Sequence, residues 1–193
     1  MKTKKIKKFI DASYQKNAPE NINRFKLDKE LSSDVAKVYN KDHKAVIVHR
    51  GTQGARDWKN NLAYVLGKYK STDRFKEAKN IQNKAIDKYG ASNISTIGHS
   101  QGGLLARELG GKTKEIITVN PASLGEKRKA NEYTIRSSGD IVSALSRPDN
   151  KDIVIPAKNR FDVLGEHSTN ILDRVPNQNI GVSRDFRTVQ GIR

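Results

Sequence analysis

Short runs of β-branched and aliphatic residues alternate along this chain with longer polar segments whose apolar residues recur at helical spacing. Ala45-Val-Ile-Val48 is a compact apolar run that stops at Arg50-Gly51, which predicts a buried strand followed by a turn. Between Ser71 and Tyr89, residues Phe75, Ala78, Ala85, Ile86 and Tyr89 fall on one side of a helix; Ser71 or Thr72 can cap its start and Gly90 can end it. Ile94-Ser-Thr-Ile97 predicts a second strand that stops at Gly98, and Leu104 to Leu109 a second helix closed by Gly110-Gly111. Glu115-Ile-Ile-Thr-Val119, Tyr133-Thr-Ile135 and Ile153-Val-Ile155 complete the set of predicted strands. The alternation predicts an α/β fold, a compact, mostly parallel central sheet flanked by helices. No repeat or linker interrupts it, so residues 1–193 read as one domain. In open sheets of this kind ligands bind beyond the carboxyl ends of the strands, and the turns after residues 50, 97, 119 and 136 are where chemistry is expected.

Composition narrows the classes. Hydrophobic residues make up 35% and charged residues 30% of the chain, and no apolar run approaches the roughly 20 residues of a membrane-spanning helix. Cysteine is absent, which excludes disulfides and thiolate metal sites. No cluster of Cys and His offers a metal site, so neither metal nor cofactor is expected. The start, Met1-Lys-Thr-Lys-Lys-Ile-Lys-Lys-Phe-Ile10, is basic but lacks the apolar stretch of a signal peptide. Residues 1–10 read as a basic arm, on a protein that is intracellular or particle-associated and at most peripheral on membranes. Lys and Arg total 37 against 21 Asp and Glu, a formal charge of +16. Such an excess draws in polyanions, either nucleic acid or an anionic lipid surface, or else serves only to keep the protein in solution.

Gly98-His99-Ser100-Gln101-Gly102 fits the G-x-S-x-G elbow, in which a strand turns sharply into a helix and lifts a nucleophilic serine. Side chains at Gly98 or Gly102 would collide in so tight a turn. The chain has four histidines, His43, His49, His99 and His167. In the order serine, acid, histidine that such elbows follow, only His167 lies downstream of Ser100, which makes it the expected base. His99 reads as turned away from the nucleophile, His49 as structural and His43 as solvated. Asp140, directly after the fourth predicted strand, is the expected acid; it would fix the tautomer of His167 and stabilise its charged form. Asp162 remains a fallback, while Asp149 and Asp152 lack a strand before them. Acyl transfer also needs donors for a developing oxyanion. The backbone N–H of Gln101 and the loop Arg50-Gly51-Thr52, with both N–H and hydroxyl of Thr52, are the expected sources.

Taken together, these residues resemble the class 3 lipases, the fungal-type α/β-hydrolases. The matching pieces are His49-Arg-Gly-Thr-Gln-Gly-Ala-Arg-Asp57-Trp58-Lys-Asn-Asn-Leu62, Ile97-Gly-His-Ser-Gln-Gly-Gly103, Val119-Asn-Pro121, Gly139-Asp-Ile-Val142 and His167-Ser168. The resemblance implies a minimal α/β-hydrolase with Ser100, Asp140 and His167 as catalytic residues and Thr52 and Gln101 as oxyanion donors. It implies a lipid ester as substrate, cleaved by a lipase, phospholipase or esterase, and the +16 charge favours glycerophospholipids. Members usually carry Phe where this chain has His49 and Leu where it has Gln101, and their His-x-Gly-Phe segment is missing here. In members the segment after the oxyanion loop can act as a lid, so Trp58, Leu62 and Tyr64 read either as a short lipid-facing lid or as core. Lys2, Lys4, Lys5, Lys7 and Lys8, with Phe9 and Ile10, read either as a solvated arm or as an added lipid attachment. The alternative from another class is a non-catalytic protein of this fold that binds anionic membrane or nucleic acid.

Overall fold

The computed structural model describes residues 1–52, 69–122, 126–142 and 152–180. Among the described residues eight strands form one sheet in which each strand neighbours the next in sequence. Strands β1 (Asn21–Ile22), β2 (Phe25–Leu27), β3 (Ala36–Lys41) and β4 (Lys44–His49) run antiparallel to one another. From β4 onward the pairing is parallel, through β5 (Ile94–His99), β6 (Glu115–Val119), β7 (Glu132–Ser137) and β8 (Asp152–Ile155). The architecture is the mostly parallel α/β fold that the alternating pattern predicts. The three leading strands were not legible: β1 and β2 span two and three residues, and β3 mixes Lys37, Asn40 and Lys41 among its apolar positions.

Alternation within strands assigns each face its cover. On β4, Val46 and Val48 pack into a large core with Tyr39, Ile97, Ile117, Val119 and Ile135. Ala45 and Ile47 point the other way, toward Val38, Ile94, Ile81 and Ala85. That second face is covered by α2 (Asp73–Tyr89), which Thr72 caps by accepting the Phe75 N–H, and Gly90 ends it at φ +78°. Next along the chain, α3 (Gln101–Leu109) follows β5 directly. Its fully buried Arg107 donates to Glu132 on β7 at 2.9 and 3.1 Å. A buried pair of this kind is satisfied at both ends and costs several kcal/mol when only one partner is removed.

The first face is closed by a helix where the sequence suggested an arm. Helix α1 (Thr3–Ser13) buries Ile6, Phe9 and Ile10 at 0% exposure. Their i, i+3, i+4 spacing forms an apolar stripe. Phe9 meets the rings of Phe25 and Tyr39 at 5.7 and 5.3 Å between centroids. The lysines line the outer side; Lys7 pairs with Asp11 at 3.0 Å and Lys5 lies 3.8 Å above the Phe25 ring. The start of the chain is tied down as well, since the Met1 ammonium donates to the Ile180 carbonyl at 2.8 Å and the Thr3 hydroxyl to Pro176 at 2.9 Å. Phe9 and Ile10 are therefore core residues and are not free to meet a lipid surface. Among the described residues no helix is long and apolar enough to cross a membrane.

Truncating a fully buried aromatic removes its contacts and leaves a void. Phe9→Ala is accordingly expected to lower stability by about 3–5 kcal/mol in urea unfolding, whereas Lys8→Ala changes it by about 0.5 kcal/mol or less. Equal, small effects of both substitutions would restore the reading of a dispensable arm.

Candidate active site

The parallel register brings the ends of β4 to β8 to one edge of the sheet, and each end carries a loop of interest. Ser100 follows β5 with φ +56° and ψ −127°, a conformation that L-residues adopt only under strain. Surrounding contacts hold it there: its N–H donates to the Val119 carbonyl at 3.1 Å and its carbonyl accepts from Gly103 and Ala122. A Cβ at Gly98 would overlap the Gly102 carbonyl, and one at Gly102 would overlap the His49 carbonyl. Both positions thus require glycine because backbones pass each other at contact distance.

Ser100, His167 and Asp140 meet at this edge. His167 Nε2 lies 2.8 Å from Ser100 Oγ, and His167 Nδ1 lies 2.9 Å from Asp140 Oδ1. The carboxylate can only accept, so Nδ1 carries the proton and Nε2 is left to accept the serine hydroxyl. All three are buried. Asp140 Oδ1 also accepts the Val142 N–H at 3.1 Å. The other acids are engaged elsewhere. Asp162 caps α4 (Val163–His167) by accepting the Gly165 N–H at 2.9 Å, Asp152 pairs with Arg128 and Arg136, and Asp149 lies outside the described residues.

His167 ends a helix of five residues, too short to hold itself, and a set of buried polar groups anchors it. His99 Nε2 donates to the His167 carbonyl at 2.7 Å, while the Tyr14 hydroxyl donates to His99 Nδ1 at 2.8 Å. Asn120, at φ +41°, donates to the Glu166 carbonyl at 2.8 Å and accepts the Ser137 N–H at 2.9 Å. The Glu166 carboxylate accepts from Ser137 Oγ, from Arg174 at 3.0 Å, and from the amides of Lys158 and Asn159 at 2.9 and 3.2 Å. Burial acts to raise the Glu166 pKa; Arg174, Ser137 and the two amides outweigh it and hold the group at about 2.

The loop after β4 is gripped from both sides. Arg74, on the first turn of α2, donates to the carbonyls of Arg50 and Gly51, the latter at 3.1 Å. Trans peptides point their C=O and N–H in opposite directions. Fixing the Arg50 carbonyl therefore turns the Gly51 N–H toward Tyr14, whose hydroxyl it meets. Fixing the Gly51 carbonyl likewise sets the direction of the Thr52 N–H. A Cβ at Gly51 would overlap the Tyr14 hydroxyl. The Thr52 hydroxyl donates to Gln101 Oε1 at 3.0 Å, so the two expected oxyanion residues are joined through their side chains. That bond gives the Gln at 101 a use that a Leu there would lack.

Sequence reasoning missed Tyr14, Arg74, Asn120 and the anchoring role of His99. His99 bonds to the Tyr14 hydroxyl and to the backbone carbonyl of His167. His49 is structural, buried against Gln82 at 3.1 Å; His43 is exposed in the turn between β3 and β4 at the far edge of the sheet. The expected lid residues Trp58, Leu62 and Tyr64 lie outside the described residues. Among the described residues no cluster of His, Asp and Glu could hold a metal ion.

A family model described as a phospholipase-like, Tle-like phospholipase domain matches residues 7–145. The matched range contains Ser100 and Asp140 and stops short of His167. No curated protein sequence matches the chain.

Burial holds the pKa of His49 and of His99 down at about 4, and the adjacent His167 ring adds to the effect on His99. Unfolded histidine titrates near ~6.5, so between that pH and about 4 the unfolded chain binds more protons than the folded one. Their contribution is whole above ~6.5 and is lost as pH falls toward about 4. The urea midpoint is expected to drop across this window, with a shallower slope for His99→Asn; identical slopes would mean that His99 does not stay neutral in the fold.

Proposed function

The chain belongs to the Tle-like phospholipase domain family, and on that premise we propose that it is a serine hydrolase that cleaves carboxylic esters of glycerophospholipids. The observation that carries this reading is the hydrogen-bonded line from Ser100 Oγ through His167 to Asp140, at 2.8 and 2.9 Å. We read residues 1–193 as one such domain, and its motifs as a class 3 lipase type of arrangement within that family.

In the proposed reaction Ser100 Oγ attacks the ester carbonyl as His167 Nε2 takes its proton. Asp140 faces the other ring nitrogen and stabilises the imidazolium that forms. The carbonyl oxygen becomes an oxyanion, received by the backbone N–H groups of Thr52 and Gln101. Gln101 opens α3, where the first N–H groups have no carbonyl one turn back to bind them. Preorganised donors of this kind are each worth about 10²–10³ in rate. Collapse expels the alcohol, which takes the proton from His167, and leaves an acyl group on Ser100. Water then enters, gives a proton to His167 and releases the fatty acid by the same steps in reverse order. Arg74 and Tyr14 act as positioning residues, since they set which way the loop amides point.

The family match supports a lipid substrate, and the +16 charge supports an anionic one. Ser100→Ala is expected to cut kcat on phospholipid and on a short-chain nitrophenyl ester by about 10⁴-fold or more, with an unchanged circular dichroism spectrum. Equal turnover by the two proteins would sink the hydrolase and leave a binding protein.

A further inference from the structure

The most exposed large apolar side chains among the described residues lie on the segments that carry Asp140 and His167 or directly precede them. Phe161 is 96% exposed, Ile141 58% and Leu164 54%. Ile141 directly follows Asp140, and Leu164 lies in the short helix that ends at His167. The two loops that carry them touch: a Cβ at Gly139 would sit 2.8 Å from Ala157 Cβ and 3.0 Å from Glu166 Cγ. Isolated exposed hydrophobics are ordinary on protein surfaces, but several on adjoining segments that also carry Asp140 and His167 are not.

Nor is Phe161 exposed because its loop is loose. Its N–H donates to Asn159 Oδ1 at 3.0 Å, and the Asp162 N–H donates to the Asn159 carbonyl at 3.1 Å. The amides of Lys158 and Asn159 are tied to the buried Glu166 carboxylate, which Arg174 and Ser137 also hold. The loop therefore presents an aromatic ring to solvent from a fixed base. Two cations, Lys158 and Arg160, are exposed on the same short segment. Its one acid, Asp162, is engaged as the cap of α4.

We propose that Ile141, Phe161 and Leu164, flanked by Lys158 and Arg160, form a docking face for an anionic phospholipid bilayer. This rests on the hydrolase reading and adds where the membrane is met. The apolar side chains enter the boundary between headgroups and acyl chains, and the two cations meet lipid phosphates. The net charge of +16 draws the protein to such a surface from a distance. Docked in this way, the segments that carry Asp140 and His167 meet the lipid. The N-terminal helix cannot serve instead, since Phe9 and Ile10 are fully buried.

The test is co-sedimentation with vesicles in a Ser100→Ala background, so that no lipid is consumed. Vesicles of phosphatidylcholine alone are compared with vesicles that also contain phosphatidylglycerol. Binding to the anionic vesicles is expected to fall about tenfold for Phe161→Asp. Lys158→Glu with Arg160→Glu is expected to lose about fivefold per cation on anionic vesicles and little on neutral ones. In the active protein Phe161→Asp, and Arg160→Glu alone, should still hydrolyse a water-soluble short-chain ester at the unaltered rate. Vesicle binding by Phe161→Asp that equals the parent, or a parent that ignores vesicles and so leaves the face to a protein partner, overturns the proposal. Failure of the hydrolase reading would look different: no ester cleavage by the active protein, whatever the vesicles bind.

Discussion

The placement of one imidazole governs the chemistry proposed for this fold. His167 sits at the end of a five-residue helix, on a loop with no regular structure of its own to fix it. Four groups do so: His99 on its carbonyl, Asn120 on the carbonyl before it, the Glu166 carboxylate on the surrounding loop, and Asp140 on the ring. Each comes from the carboxyl end of a different parallel strand or from the segment just beyond. The register of β5, β6 and β7 is thus what lets distant residues share one site. A slip of one residue would send His99 to the opposite face of the sheet.

Burial keeps two of the histidines neutral. His49 and His99 are enclosed, held at about 4, and therefore neutral donors or acceptors at physiological pH. Their neutrality has a structural use: only a neutral His99 can accept from Tyr14 at one nitrogen while donating to the His167 carbonyl from the other. The Tyr14 hydroxyl keeps its proton for the same reason, with burial pushing its pKa up to about 12. Through Gly51 the same hydroxyl reaches the loop before Thr52. The segment after the first helix, the elbow, the loop after β4 and the segment that carries His167 are in this way linked by polar contacts.

Much of this was legible because the signals were periodic or local. The run Ala45 to Val48 alternates between two cores, Thr72 caps and Gly90 ends α2, and each parallel strand stops near the breaker that marks it. The approach of Ser100, Asp140 and His167 followed from chain order and from strand ends. Other parts were hidden by composition. Five lysines masked the stripe of Ile6, Phe9 and Ile10, so a core helix read as an arm. Gln82, Arg107, Glu132 and Glu166 are polar residues that fold inward because partners wait for them, and no local pattern announces a partner that lies far along the chain. Arg74 and Tyr14 carry no sequence signal for their contacts; only the folded chain puts them beside Gly51.

The account stands on a hydroxyl at position 100 made reactive by the neighbouring imidazole, and chemical trapping tests that directly. Treatment with a fluorophosphonate, followed by peptide mapping by mass spectrometry, should place one adduct on the peptide that contains Ser100. The same treatment of His167→Asn should give almost none, although its serine is intact. An adduct found elsewhere, or one that forms equally fast without the imidazole, would contradict the account.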